Sequence, residues 1–444
     1  MTTRRNSLHK RLLALGLSVS PLLAACADDP SGEETDASTT GSDETSGETT
    51  GDGDGDGDGD GETTGDGDGD GDGDGDAKPD LGDTPNAACD AAVAAFETIR
   101  TEIAKDAPDA QVVSDAYLDG PLQSYVQRAG AIAGRITDGL LVDDAAILAA
   151  ISAGTPVDLI DAEQQIYLAL HKQFRAQIGE VADIVPDPAR DPAILYAIWD
   201  DAYCVYDGVL RPLAQSADAI GRPGDNVEAF IDEGFALGHA AIEGPDQPWA
   251  PDEAGIKAAK QRVEKGSYAI MQRLVVEWSA QAKADDDPLL ARHALGQFAL
   301  LEDRMAGRNT PGIQIVQDYL TGAPADIDVD DIRRQLNITF AKRTRGYCDR
   351  AITDGILGTP DGIEGAVEGF AYSRVLLPDM VDALDGFDRD AFEADWLDYI
   401  AAVVADDTAA ATTASDLTCA ALCEYQVDVL GLSECVGSGD EVAP

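Results

Sequence analysis

The sequence predicts an all-α fold, a multi-helix bundle that follows a disordered N-terminal tether. From about Ala87 onward, apolar residues recur at three- and four-residue spacing, which is the period of an amphipathic helix. Alternation of apolar and polar residues, which would indicate half-buried strands, is scarce in this region. Alanine and leucine dominate the apolar residues, and both favour helices. The pattern therefore predicts a series of helices and no substantial sheet.

The first segment, residues 1–25, predicts export. It carries four basic residues, no acidic residue, and an apolar run of 14 residues from Leu12 to Ala25. Such a run is shorter than the roughly 20 residues that span a bilayer as a helix, but it suits the core of a signal peptide. The run ends in Leu-Ala-Ala-Cys at positions 23–26, which resembles the bacterial lipobox. The resemblance implies acylation of Cys26 and a lipid-anchored protein of the cell envelope, at the outer membrane or on the cell-surface or periplasmic face. An ordinary secretory signal with a chance cysteine is the alternative.

The second segment, residues 26–86, predicts a disordered acidic tether rich in glycine and aspartate. Residues 51–76 are an almost pure Gly-Asp repeat, which has no apolar side chain to bury. An EF-hand loop needs a glutamate at its twelfth position, and counting from Asp52 that position is Thr63. We therefore interpret the repeat as a flexible spacer rather than a calcium site.

The charge balance excludes one large class of function. The chain has 84 acidic and 31 basic residues, a net charge of −53 and a pI near 4.1. Nucleic-acid binding needs a basic face that neutralises phosphates, so we expect no nucleic-acid partner. Electrostatic docking on an anionic membrane is disfavoured for the same reason.

The third segment, residues 87–435, predicts the helical domain, and residues 436–444 a flexible tail. Apolar stripes at helical spacing lie in three stretches, and prolines and glycines separate many such stretches. The region is long for one domain, so two packed helical subdomains, divided near 245–252 or 321–328, are an alternative to a single bundle. The stripes are Ala91, Ala94, Ala95, Thr98 and Ile99, then Val263, Ala269, Ile270, Leu274, Val275 and Trp278, then Phe392, Trp396, Ile400 and Val403.

Six cysteines follow Cys26, and an even number in an exported protein favours disulfides. The sequence does not choose among the pairings, although the last three cysteines lie close enough together to suggest a bridge that pins the C-terminal tail. A three-cysteine metal site is the alternative, but it lacks a nearby histidine and an exported protein meets an oxidising compartment. The disulfide candidates are Cys89, Cys204, Cys348, Cys419, Cys423 and Cys435.

Signatures of common enzymes are missing from the sequence. There is no His-Glu-x-x-His, no Gly-x-Ser-x-Gly and no phosphate-binding glycine loop. Beyond the signal segment only His171, His239 and His293 remain for acid–base or metal chemistry. We therefore expect no catalytic residue and no enzyme activity.

A short pattern that occurs three times in the sequence, which we call the echo, points instead to metal binding. Three segments combine an acid, a small residue and a large aromatic, and each is predicted to be helical: Trp-Asp-Asp-Ala-Tyr at 199–203, Asp-Glu-Gly-Phe-Ala at 232–236 and Glu-Gly-Phe-Ala-Tyr at 368–372. If these helices pack together, Asp201, Glu233 and Glu368 could converge on one ion. The alternative is three ordinary amphipathic helices with solvated acids.

His239 and Glu243 extend this candidate set. They are four residues apart, so on a helix they share one face. An imidazole together with carboxylates suits iron, manganese or zinc. The Glu-x-x-His pair of ferritin-like di-iron bundles is missing, so a redox di-iron enzyme is not expected.

The same motifs carry a resemblance to two families. The three echo segments, with the continuation to Pro378, resemble repeated helical motifs of the algal low-iron-inducible, iron-assimilating periplasmic proteins and their bacterial relatives, over roughly residues 95–410. The segment Gly-His-Ala-Ala-Ile-Glu at 238–243 is similar to the Gly-x-His-x-x-Glu motif of imelysin-type iron-uptake proteins, with one more residue between His239 and Glu243. The resemblance implies an all-helical exported protein of iron acquisition without an established enzyme activity.

Sequence reasoning thus leads to two main functional hypotheses, and an enzyme whose active site carries no recognisable signature is a third alternative. The first is an exported lipoprotein that binds iron, or another divalent metal such as manganese or zinc, through carboxylates on helices, with acidic residues raising the local cation concentration. The second is a structural or interaction lipoprotein whose helical surface binds another envelope protein and no metal. The two differ in whether metal stabilises the folded chain.

Overall fold

A computed structural model of the chain describes residues 86–132, 136–137, 140–187, 191–221, 225–244 and 251–439. The predicted signal segment, the Cys26 lipidation site and the tether up to residue 85 lie outside the described residues. So do residues 440–444 of the predicted tail and residues 245–250 of one candidate boundary.

The described residues confirm the all-α prediction. Strand structure among them is limited to two antiparallel two-residue strands, β1 (Ile136–Thr137) and β2 (Leu140–Leu141). The first helices are α1 (Ala87–Ile103), α2 (Ala110–Leu118), α3 (Leu122–Ile132), α4 (Val142–Ala153), α5 (Pro156–Ile184), α6 (Pro192–Val205), α7 (Arg211–Ile220), α8 (Val227–Glu243) and α9 (Glu253–Asp285). The later helices are α10 (Pro288–Ala299), α11 (Glu302–Met305), α12 (Thr310–Thr321), α13 (Val329–Tyr347), α14 (Arg350–Thr353), α15 (Pro360–Ala383), α16 (Arg389–Val404) and α17 (Thr408–Glu424). Short π-helical segments follow α6 at Tyr206–Leu210 and α17 at Tyr425–Val429, and a 3-10 turn lies at Pro324–Asp326.

The helix starts follow simple capping chemistry. Thr155 and Asp158 form a capping box at the start of α5, with each side chain bonded to the other residue's backbone N–H. Asp191 accepts a backbone hydrogen bond at the start of α6, and proline occupies its first turn, where no N–H is needed. Many prolines that the sequence marks as breakers therefore begin helices.

The long helices α5 and α9 organise the fold. Helix α9 packs against α8, α10 and α15, while α5 packs against α3, α4 and α6. One connected cluster of buried apolar residues extends along the chain from Cys89 to Leu432. The predicted stripe in α9 lies in this cluster over its whole length, as do Phe392, Trp396 and Val403 of α16. The α5 and α9 helices thus hold the α6 and α8 helices in place, and those two carry the candidate site.

Three disulfides join the six cysteines of the helical region. Cys89 of α1 pairs with Cys204 of α6, at a sequence separation of 115. The other pairs are Cys348–Cys419 and Cys423–Cys435. The last of these closes the segment after α17, where the sequence suggested a bridge.

A helix that crosses a bilayer needs about 20 predominantly apolar residues. Among the described residues, none of the helices combines that length with that apolar character.

Candidate functional site

Asp201 of α6 is buried, and its hydrogen bonds link α6 to α3 and α5. Its Oδ1 accepts hydrogen bonds from Tyr125 Oη (2.6 Å) and from the Asn86 side chain, and its Oδ2 accepts one from the Gln177 side chain. Arg128 Nη2 lies 3.6 Å from the same oxygen. Both oxygens are therefore engaged, and an ion at Asp201 would have to displace these donors.

Glu368 lies in α15 within a buried ion cluster. Its Oε1 is 3.1 Å from Lys265 Nζ, which also lies 3.0 Å from Glu264 Oε2. The Lys265 side chain is 3% exposed. Burial opposes the charge of Lys265, but the two carboxylates beside it hold the pKa of Lys265 well above its usual range. Glu368 thus already pairs with a cation, Lys265, which it shares with Glu264.

Glu233 faces outward from α8. Its side chain is 57% exposed, and Oε2 lies 2.7 Å from Arg262 Nη1 of α9. An exposed pair of this kind contributes little to stability. The three acids of the echo do lie on helices, yet one is exposed and the other two are bonded to different partners.

The structure does not gather the five predicted ligands into one group. Over the described ranges, the one set of three metal-binding side chains with ligand atoms within 4.8 Å of one another is Cys348, Asp349 and Cys419. Cys348 and Cys419 are joined in a disulfide, so they offer no thiolate. The convergence of Asp201, Glu233 and Glu368 on one ion is not found at this spacing.

A different group lies where α6 passes α8, and we call it the α6/α8 cluster: Tyr196, Asp200, His239 and Glu243. Each helix supplies two of these residues, four positions apart and so on one face. The rings of Tyr196 and His239 pack with centroids 4.8 Å apart. His239 is half-buried and Glu243 is exposed, so the cluster lies at the edge of the core.

Asp200 is the unusual member of the α6/α8 cluster. It is 8% exposed, and neither carboxylate oxygen has a hydrogen-bond partner among the described residues. Burial raises the pKa of Asp200, and the nearby His239 imidazole opposes that rise. The pKa of Tyr196 is raised by burial and then by the negative charges of Glu243 and Asp200.

A close helix contact holds the cluster together. Trp199 of α6 is fully buried, and its indole Nε1 donates to the Phe235 carbonyl oxygen of α8 at 3.1 Å. Gly238 lies against the same ring: a Cβ built there would come within 2.6 Å of Trp199 Cε2. The absence of a side chain at Gly238 therefore lets α8 approach α6 and brings His239 beside Tyr196.

Sequence reasoning found half of the α6/α8 cluster. The sequence pattern predicts His239 and Glu243 as metal ligands, but on α6 it predicts Asp201 and not its neighbour Asp200. Adjacent residues on a helix point about 100° apart, so only one of the two acids can face α8. Asp200 follows Tyr196 by four residues, about one helical turn, and this spacing is the sequence signal that places the two on one face.

Comparison with known proteins adds no family to this description. No protein-family model matches the chain, and searches of curated proteins and of solved structures found no match either. The functional interpretation therefore depends on the geometry of the site.

Proposed function

We propose that this chain is an exported lipoprotein whose helical domain binds a divalent transition-metal ion, such as iron, at the α6/α8 cluster. The proposal keeps His239 and Glu243 as ligands and replaces the three echoed acids with Asp200. The observation that carries it is the buried carboxylate of Asp200, which has no hydrogen bond on either oxygen and lies near an imidazole.

The physical argument concerns the cost of burying a charge. An ionised carboxylate without a partner in the protein interior costs several kcal/mol, so it either takes up a proton or pairs with a cation. A bound metal ion would supply that charge. The ligand atoms of Asp200, His239 and Glu243 do not all lie within 4.8 Å of one another in this structure, so a bound ion would have to draw the side chains together. His239 would then add a nitrogen donor and Glu243 an oxygen donor, a set that suits iron, manganese or zinc better than calcium.

Two sequence features support the same proposal. The resemblance of residues 238–243 to the imelysin-type motif rests on His239 and Glu243, the two cluster members of α8. The net charge of −53 would raise the concentration of cations near the chain. Lipid anchoring at Cys26 would keep such a domain at the envelope.

The test is metal-dependent thermal stability of the full chain. We expect Fe²⁺ under anaerobic conditions, Mn²⁺ or Zn²⁺ to raise the unfolding midpoint, and Ca²⁺ to do so much less. A ligand that binds only the folded state at 100 times its dissociation constant stabilises it by about 2.7 kcal/mol. Asp200→Asn and His239→Gln should each abolish the shift.

The matched control lies on the same helix. Glu243→Gln and Glu233→Gln both remove one exposed carboxylate charge from α8, but only Glu243 belongs to the α6/α8 cluster. We expect Glu243→Gln to weaken the metal response and Glu233→Gln to preserve it. Absence of any metal shift, or an equal shift in Asp200→Asn, would refute the proposal.

One surface feature favours the second hypothesis, an envelope interaction protein. Leu397 and Val404 of α16 are 48% and 55% exposed and lie seven residues apart, hence on one face. This reading predicts no metal response and recovery of a specific envelope protein with the chain. That recovery should be lost when both residues are replaced by serine.

A further inference from the structure

Helix α16 presents an apolar stripe to solvent, and we call this stripe the α16 face: Leu397, Ile400, Ala401 and Val404. These residues are spaced i, i+3, i+4 and i+7, so they lie on one side of the helix. Ile400 is half-buried and the other three are exposed. Val404 is the most exposed large apolar side chain in the described part of the chain.

The opposite side of α16 packs into the core. Phe392, Trp396 and Val403 are buried there and belong to the connected apolar cluster. A helix that is apolar on both sides is ordinarily covered on both sides. The spacing of the α16 face is also the spacing by which one amphipathic helix docks against another surface. The face therefore has the pattern of a surface that a further helix covers.

The surroundings of the α16 face are strongly acidic. Between residues 375 and 439 the chain has 14 acidic residues and one basic residue, Arg389. Arg389 is bonded to Glu393 and Asp225, and Arg374 of α15 is bonded to Glu393 as well. These two cations are thus matched by carboxylates away from the exposed stripe.

Two acids of α16 lie beside the stripe. Asp390 precedes Leu397 by seven residues and so shares its side of the helix, while Asp398 follows Leu397 directly. Both acids are exposed, and neither forms an ion pair with another described residue. Burial, and then the charge of Asp398, raise the pKa of the neighbouring Asp395, and no cation opposes that rise. The α16 face thus joins apolar contact area to uncompensated negative charge.

We infer that the α16 face binds a cationic amphipathic helix of another protein, with the apolar stripe of that helix on Leu397 and Val404 and its lysines or arginines opposite Asp390 and Asp398. Charge complementarity selects this occupant. A second copy of the chain would bring the same acids to the interface, where like charges oppose association. An anionic membrane surface is disfavoured for the same reason.

This inference specifies the partner of the interaction hypothesis and does not depend on the metal site. Helix α16 contributes no residue to the α6/α8 cluster, so both sites can act in the same chain. An envelope protein recovered through the α16 face that has no cationic amphipathic helix would keep the interaction hypothesis and overturn this inference.

The experiment is calorimetric titration of the full chain with three synthetic peptides, each long enough for about five helical turns. The first peptide places leucine at the i, i+3, i+4 and i+7 positions and lysine elsewhere. The second replaces lysine with glutamate, and the third replaces leucine with serine. We expect the leucine–lysine peptide to bind about tenfold or more tightly than the other two, with an affinity that falls as salt is added. Equal binding of the leucine–glutamate peptide, or no binding of the leucine–lysine peptide, would refute the inference.

Variants of α16 locate the binding. Leu397→Ser combined with Val404→Ser removes the two most exposed apolar side chains of the stripe, and Asp398→Lys reverses the charge beside it. Each should lower the affinity for the leucine–lysine peptide about tenfold or more. The three side chains are exposed, and circular dichroism checks that each variant is folded.

Helix α2 supplies the matched controls. Val112 and Leu118 are 37% and 46% exposed, but they lie six residues apart and so on different sides of that helix. Val112→Ser combined with Leu118→Ser, and Asp115→Lys, should leave the affinity unchanged. Equal losses in the α2 and α16 variants would place the binding elsewhere and refute the inference. A dimer of the unaltered chain in sedimentation velocity that the serine variant of α16 abolishes would replace the partner helix with a second copy.

Discussion

Replacing Gly238 with alanine tests the close contact on which the α6/α8 cluster depends. Within a helix, a glycine-to-alanine change ordinarily stabilises by about 0.8 to 1 kcal/mol. At Gly238 the new Cβ would lie 2.6 Å from Trp199 Cε2, whereas carbon atoms pack at about 3.5 to 4.0 Å. Trp199 Cζ2 would lie even closer to the new Cβ than Cε2 does. The rigid indole cannot retreat without losing its hydrogen bond to Phe235, so α8 has to move away by more than about 1 Å.

The magnitude follows from two opposing contributions. Overpacking of this kind costs about 1 to 3 kcal/mol, and the full burial of Trp199 favours the upper end. After the gain in helix propensity, we expect Gly238→Ala to lower the free energy of unfolding by about 2 kcal/mol. In a helical domain of about 350 residues, whose unfolding entropy scales with its length, that lowers the thermal midpoint by about 2 to 4 °C. Displacing His239 from Tyr196 should also weaken the response to metal.

Gly179 supplies the matched control. It lies inside α5, and a Cβ built there meets no atom within 4 Å. Gly179→Ala should therefore stabilise by about 0.5 to 1 kcal/mol. Urea unfolding followed by circular dichroism measures both variants. If Gly238→Ala proved as stable as Gly179→Ala, the close approach of α6 and α8 and the geometry of the cluster would both be wrong.

Two further predictions concern buried charges. Lys265→Met would leave Glu264 and Glu368 without their shared cation, so we expect urea unfolding to report a loss of about 3 to 5 kcal/mol; a loss below about 1 kcal/mol would contradict the buried ion cluster. Burial raises the pKa of Asp161 to about 7, and Arg292 3.8 Å away only partly opposes this. Because the unfolded chain releases that proton near pH 4, stability contributed by this group is present at low pH and is lost as the pH rises towards 7. Asp161→Asn should therefore be more stable than the unaltered chain at pH 8, by about 1 to 2 kcal/mol after solvent screening, and equal to it near pH 4; an unchanged midpoint at pH 8 would argue against a buried carboxyl.

The helices were predictable because their apolar period and their breakers are local properties of the sequence. In α9 the predicted stripe from Val263 to Trp278 is buried, although every residue from 263 to 275 is buried there, so the stripe does not mark one face. In α1 the predicted stripe was right only at Ile99: Ala91 is exposed, and the buried face carries Ala92 and Phe96 together with Ile99. Alanine occurs on every face of that helix, so hydrophobicity alone could not choose between them.

The site could not be predicted in the same way, because it depends on which helices meet. The echo Trp-Asp-Asp-Ala-Tyr placed an acid beside an aromatic, but Asp200 and Asp201 face different neighbours. Asp201 meets donors from α3 and α5, and Asp200 meets α8. Glu368 and its ion-pair partner Lys265 are likewise distant from each other in sequence. Periodicity gives the face of a helix, while tertiary packing decides what lies opposite it.

The disulfide between Cys89 and Cys204 has a mechanical consequence. Any force applied through the chain that precedes residue 86 enters α1 at its first turn and reaches Cys89 within three residues. From there a covalent path leads to the end of α6, so the load bypasses the remainder of α1. Helix α1 is thereby protected from being peeled off, and the pull is spread into helices that pack on α5. A domain held by its N-terminal side in a moving fluid would resist unravelling from that end.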